Sequence, residues 1–260
     1  MLYRYNEFIS EGRISEFYND ELNPKFWTKK KNQKGETEWV LDRNVRKKLL
    51  IIAKDFYSKF EDTIGKPKIV DIQLTGSLSN YNYTKYSDLD VHVLVDFDKI
   101  DAPKKVLKSA IDGIRFIWNL RHDIRIRGHE VETYMQDSEE PHVASGLYSL
   151  MDDEWIKKPT FDPPSVDPAD VDKKYEGIAS DINKFEEKLV KQNTTPSNAK
   201  ELYDKAGKLK EKIMKMRKEG LQKEGEFSVG NLAFKKLRNE GYIEKLIDTI
   251  SQAYDKIYSE

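Results

Sequence analysis

The stretch 74-LTGSLSNYNYTKYSDLDVHVLVDF-97 decides how this chain is read. An apolar, strand-like run ends at Gly76 and Ser77, a polar loop rich in tyrosine follows, and Asp88 and Asp90 open a second apolar run. Residues two apart in a strand share a face, so the two aspartates sit side by side while Leu89, Val91, Val93 and Val95 fill the other face. Like charges so close repel one another, and a cation between them removes the repulsion. Glycine lets the backbone approach a ligand closely, and Ser77 adds a hydroxyl where the amides of a strand-to-loop turn can cradle phosphate. Asp88 falls 12 positions after Gly76, which aims the aspartate pair at phosphates held by that turn. Two carboxylates together with substrate phosphate make a magnesium site. The pattern is that of two-metal phosphoryl transfer, with two Mg2+ (or Mn2+) ions expected.

Outward from this stretch the chain reads as three regions. Up to about Gly65 it reads as helices with a basic connection, and 42-DRNVRKKLLIIAKDFYSKFED-62 places Val45, Leu49, Ile52, Phe56 and Phe60 at helical spacing. From Lys68 to about Pro159 strand and helix signals alternate: IVDIQLTGS, DLDVHVLVDF, a helix near Pro103 to Arg121, then HDIRIRG and HEVETYMQ. The proline-rich 159-PTFDPPSVDP-168 leads to helices expected over 169–191, 197–222 and 228–258. The expected fold class is therefore α+β: a mixed sheet core with flanking helices over 1–160, and a C-terminal helical domain over 165–260.

Composition bounds the chemistry. Of 260 residues 38% are hydrophobic, enough to bury a substantial core. Charged residues make up 35%, yet the formal net charge is -1, so the overall field does not select a nucleic-acid partner. The absence of cysteine excludes disulfides, thiolate metal sites and cysteine nucleophiles. No apolar run approaches the ~20 residues that cross a bilayer, so the expectation is a cytoplasmic protein with no membrane partner. Lysine and arginine cluster at Lys29, Lys30, Lys31, Lys34, Arg46, Lys47 and Lys48, and again from Lys208 to Lys218. These runs fit a phosphate backbone, but Glu201, Glu211 and Glu219 interleave with the second, as on a solvated helix face.

Gly-Ser followed by a polar loop and then Asp-Leu-Asp between apolar strand residues resembles the signature of the DNA polymerase beta-like nucleotidyltransferases. The opening YNEFISEG, NYNYTKYSDLDVHV and the late NLAFKKLRNEGYIEKL also resemble uncharacterised nucleotidyltransferase-fold proteins of large tailed phages, which implies a host cytoplasm. The superfamily carries a third acid on a later strand in an apolar, acid, apolar context. Here 129-HEVETYM-135 offers Glu132, with Glu130 on the same face as the alternative. The resemblance implies metal ligation and catalysis by Asp88, Asp90 and Glu132. It implies nucleotide contacts from Gly76, Ser77, Lys85 and Ser87. Tyr148, after the acid strand, is expected either under the base or packed between domains. The loop carries Lys85 and lacks the arginine common in relatives.

The implied activity is transfer of a nucleoside monophosphate from a nucleoside triphosphate to an acceptor hydroxyl on RNA, protein or a small molecule, releasing pyrophosphate. Two other classes fit the same residues: an inactive nucleotide or nucleic-acid binding module, and a (p)ppGpp-type pyrophosphokinase. His92, on the Asp90 face, reads as a phosphate contact or, preferred, a structural residue. His122, His129 and His142 show no metal-ligand spacing.

Overall fold

A computed structural model describes residues 18–31, 34–142, 144–161, 166–191 and 195–259. The chain divides into two compact units, one holding Glu16–Asp162 and the other Pro163–Glu260. The first is built on strands β1 (Trp27–Lys31), β2 (Thr37–Leu41), β3 (Ile69–Thr75), β4 (Leu89–Val95), β5 (Arg125–Ile126), β6 (His129–Asp137), β7 (Leu147–Ser149) and β8 (Glu154–Lys157). Its helices are α1 (Arg43–Ser58), the short α2 (Glu61–Ile64) and α3 (Lys104–Arg121).

The apolar spacing read in 42–62 does form a helix. Val45, Leu49, Ala53, Phe56 and Tyr57 make its buried stripe, and Asp42 caps it by accepting from the amides of Asn44 and Val45 at 2.9 and 3.0 Å. Arg127, at the turn between β5 and β6, pairs with the same carboxylate at 2.8 Å. That guanidinium, helped by the capping amides, holds Asp42 below the usual carboxylate range.

The basic connection expected before α1 is instead a hairpin, β1 against β2, with Trp27 opposite Leu41. Cross-strand packing overrides the lysine-rich composition. Trp27 is buried, stacks on Trp155 at 4.6 Å, and its indole N–H donates to the Leu78 carbonyl at 2.7 Å. The helices expected within the first 17 residues lie outside the described residues.

The main sheet has the order β5-β6-β4-β3-β7-β8. β4 and β6 are parallel and joined through α3, while the other pairs are antiparallel, so the sheet is mixed. One face meets α1 and α3 in a single cluster that includes Ile72, Leu74, Val91, Val93, Val131 and Met135. Beyond the short β5, the outer edge of β6 is covered by Asn119 of α3, whose amide exchanges 3.5 Å hydrogen bonds with the main chain of Thr133. A side-chain amide thus takes the place of a missing strand.

The second unit is helical: α4 (Pro168–Lys191), α5 (Pro196–Glu224), α6 (Val229–Asn239) and α7 (Tyr242–Tyr258). Ile182, Ala206, Ile213, Phe234 and Leu246 form its core. The single helix expected over 228–258 is two. Gly241, at φ 78°, takes the left-handed conformation that ends one helix and redirects the chain into the next.

Candidate functional site

The site is built where β3 ends, β4 begins and β6 runs alongside. In the register of the sheet, Asp90 of β4 lies between Thr75 of β3 and Glu132 of β6. Neighbouring strands are ~4.8 Å apart, so Asp90 and Glu132 present their carboxylates from one face as direct neighbours. Asp90 is half-buried and Glu132 exposed. Glu130 is placed otherwise: it faces Arg125 across the β5–β6 pair, with a guanidinium contact of 3.4 Å. β4 begins at Leu89, so Asp88 stands just before the strand. Among the described residues, no three His, Asp or Glu side chains gather closely enough to hold a metal ion by themselves.

Gly76 lies directly beneath Asp90. Its φ of 77° is left-handed, and a Cβ built on it would fall 1.8 Å from Asp90 Oδ2 and 2.8 Å from Cγ. A glycine at this turn therefore serves two ends, the turn itself and the close approach of a carboxylate to the backbone. Ser77–Ser79 then form a 3-10 turn, closed by Ser79 N–H to the Gly76 carbonyl at 3.2 Å. Ser77 Oγ donates to Ser87 Oγ at 2.7 Å, and the same Ser87 oxygen accepts from the Thr84 amide at 2.9 Å. The two ends of the loop are thereby clasped.

Ser87 is 4% exposed, so it braces the loop from inside. Its carbonyl meets His129 Nδ1 at 2.7 Å, and that buried histidine packs edge-on against Phe26. Lys85 is exposed, with its ammonium 4.9 Å from the Tyr86 ring centre.

Tyr148 is a correction. It pairs with Leu74 on the core face, is 1% exposed, and packs between Trp27 and Trp155. A ring so enclosed offers no face to a base. Burial, with the Asp153 carboxylate accepting from its hydroxyl at 2.8 Å, pushes its pKa up.

One register step along from Asp90 and Glu132 are His92 and Tyr134. Gln136 donates through Nε2 to the Glu140 carbonyl at 3.2 Å, which turns its Oε1 toward His92 Nδ1 at 2.7 Å. Nδ1 is thus the donor of that bond. Burial lowers the His92 pKa to about 4, against the opposing pull of that hydrogen bond. His142, 5.2 Å away, is lowered by burial too.

Asp90, His92, Glu132 and Tyr134 from the sheet, with Arg115 and Asn119 from α3, line a cleft of about 230 Å3. Arg115 went unnoticed in the sequence because nothing local distinguishes it. Only the packing of α3 along the edge of β6 brings it beside the acids.

The basic runs are partly committed to the fold. Lys29 pairs with Glu21 at 2.5 Å, and Arg46 donates to the carbonyls of Leu150 and Met151 at 2.8 Å. Arg217 covers the Phe234 ring at 4.3 Å. Within the helical unit a larger groove of about 980 Å3 is floored by Ile178, Leu209, Ile213 and Met216. Its rim mixes five lysines with four carboxylates and so selects no sign of charge.

Compared with known proteins, the chain matches no family model, no curated protein and no solved structure. Among the described residues no helix is long and apolar enough to cross a membrane.

Proposed function

We propose that the chain is a metal-dependent nucleotidyltransferase and that its sheet is the core of a nucleotidyltransferase-type fold. The observation that carries the reading is the register of Asp90 with Glu132 on parallel strands, directly over the glycine of a Gly-Ser turn.

The residues present fit magnesium or manganese. Carboxylate oxygens are hard donors, and Mg2+ takes one or two of them while leaving its remaining positions to phosphate and water. Asp90 and Glu132 would hold the metal as a pair, and Asp88 stands close by in the chain, just before β4. Bound there, the metal supplies charge stabilisation to the phosphates and makes the acceptor hydroxyl more acidic.

The rest is the work of the chain. The clasped Gly76-Ser77 turn holds the outer phosphates. Glu132, the more exposed of the two acids, takes the acceptor proton. The acceptor oxygen bonds to the α-phosphorus, the bridge to the β-phosphate breaks, and pyrophosphate leaves with the electron pair. The acceptor is a hydroxyl of RNA, protein or a small molecule.

The test is incubation of the full chain with each α-labelled nucleoside triphosphate, Mg2+ or Mn2+, and total RNA and protein. Label is expected in an acceptor for the wild type and absent for Asp90→Ala, which keeps its circular dichroism. Label that still transfers in that variant would refute the assignment.

A further inference from the structure

A triphosphate brings several negative charges to a place that already holds two carboxylates. The loop after Gly76 offers Lys85, whose ammonium sits out over Tyr86. The fold brings a second cation from outside that loop. Arg115 lines the same cleft as Asp90 and Glu132. Its guanidinium carbon lies 5.0 Å from the centre of the Tyr134 ring, and Tyr134 stands one register step from Glu132 on the same face. One helical turn further on, Asn119 fastens α3 to the main chain of Thr133, which fixes the height of Arg115 over the sheet. Arg115 meets Asp112 of its own helix at 3.8 Å, the outer limit of an ion pair.

We propose that Arg115 is the phosphate-binding cation of this site, gripping the outer phosphates of a nucleoside triphosphate whose α-phosphate faces Asp90 and Glu132. The assignment rests on the nucleotidyl-transfer reading above and adds to it a residue outside the Gly-Ser loop. An arginine suits the task better than a lysine. Its planar fork matches two phosphate oxygens at once, and an aromatic ring can cover one face while the N–H edge stays available. His92 meets the Tyr134 ring from the side at 5.3 Å, and Arg115 is the one lysine or arginine among the residues that line the cleft.

The experiment is calorimetric titration of the full chain, in Mg2+, with nucleoside triphosphates and the matching monophosphates. Wild type, Arg115→Met, Arg115→Lys and Tyr134→Leu are compared, with thermal melts as the check on folding. Loss of a charge-assisted, bidentate contact predicts triphosphate binding about 10- to 100-fold weaker in Arg115→Met, with monophosphate binding unchanged within about twofold. Arg115→Lys restores part of the loss, and Tyr134→Leu shows a smaller loss of the same kind. Triphosphate binding by Arg115→Met at wild-type strength overturns the assignment alone. Equal loss of mono- and triphosphate binding overturns it too, since the contact is then not to the outer phosphates. A wild type that binds no triphosphate overturns the nucleotidyl-transfer reading itself.

Discussion

Gly76→Ala tests the one contact that ties the turn to the acid. Two effects add. An alanine at φ 77° bears the left-handed penalty of ~1–2 kcal/mol. Its Cβ must also open a 1.8 Å approach to Asp90 Oδ2 beyond 3.0 Å, and with Cγ at 2.8 Å and Cβ at 3.2 Å the carboxylate cannot simply pivot clear. Overpacking of this kind costs ~1–3 kcal/mol, so the total expected is ~2–5 kcal/mol. Gly35→Ala is the control: its φ is 82°, but nothing lies within 4 Å of its added Cβ, so it carries the backbone penalty alone. The assay is urea unfolding followed by tryptophan fluorescence. All four tryptophans, at positions 27, 39, 118 and 155, lie in the sheet unit, so the helical unit does not contribute to that signal. In a double-mutant cycle with Asp90→Ala, about 1–3 kcal/mol of the loss should be recovered. If Gly76→Ala costs no more than Gly35→Ala and the cycle shows coupling below ~0.5 kcal/mol, the carboxylate does not lie over the turn and the site as described is wrong.

Two further expectations follow from packing and charge. His92 accepts a proton in the unfolded chain near 6.5 but in the folded chain only near about 4, so the unfolded state binds more protons in between. Stability is therefore complete above pH 6.5 and declines as pH falls toward 4, by up to ~3 kcal/mol from this group. His142, lowered as well, adds to the slope, while Glu140 opposes it at both rings and Arg115 reinforces it at His92. His92→Gln should flatten the pH dependence of the urea midpoint, and an unchanged slope would remove His92 as its cause. Gly146→Ala would drive a Cβ to 1.9 Å from the Ser79 carbonyl oxygen, a main-chain atom that cannot rotate aside. A loss of ~3 kcal/mol or more is expected in the same fluorescence assay, and one below ~1 kcal/mol would contradict the packing of the Ser77–Ser79 turn.

Local periodicity made α1, α3, β3, β4 and β6 legible, because helix and strand spacing depend on near neighbours in the chain. The turn at Gly76 and the aspartates after it were visible for the same reason. The β1–β2 hairpin was not: the lysines in WTKKK mask a strand whose order comes from Trp27 meeting Leu78, Tyr148 and Trp155, residues far along the chain. Tyr148 read either as a ring under a base or as packing between domains, and only the pairing of β7 with β3 shows that it faces the core of the sheet unit. The sequence favoured Glu132, between Val131 and Thr133, but left Glu130 as the alternative, since both point the same way from one strand. Parallel pairing with β4 sets Glu132 beside Asp90, and the β5 turn sets Glu130 opposite Arg125. What the sequence by itself determined was which residues share a strand face or a helix stripe. What the tertiary structure alone decided was which faces meet, and so which acid neighbours Asp90 and that Arg115 reaches the same cleft. The reason is physical: spacing within an element follows from backbone geometry, whereas register and packing between elements depend on contacts made dozens of residues apart.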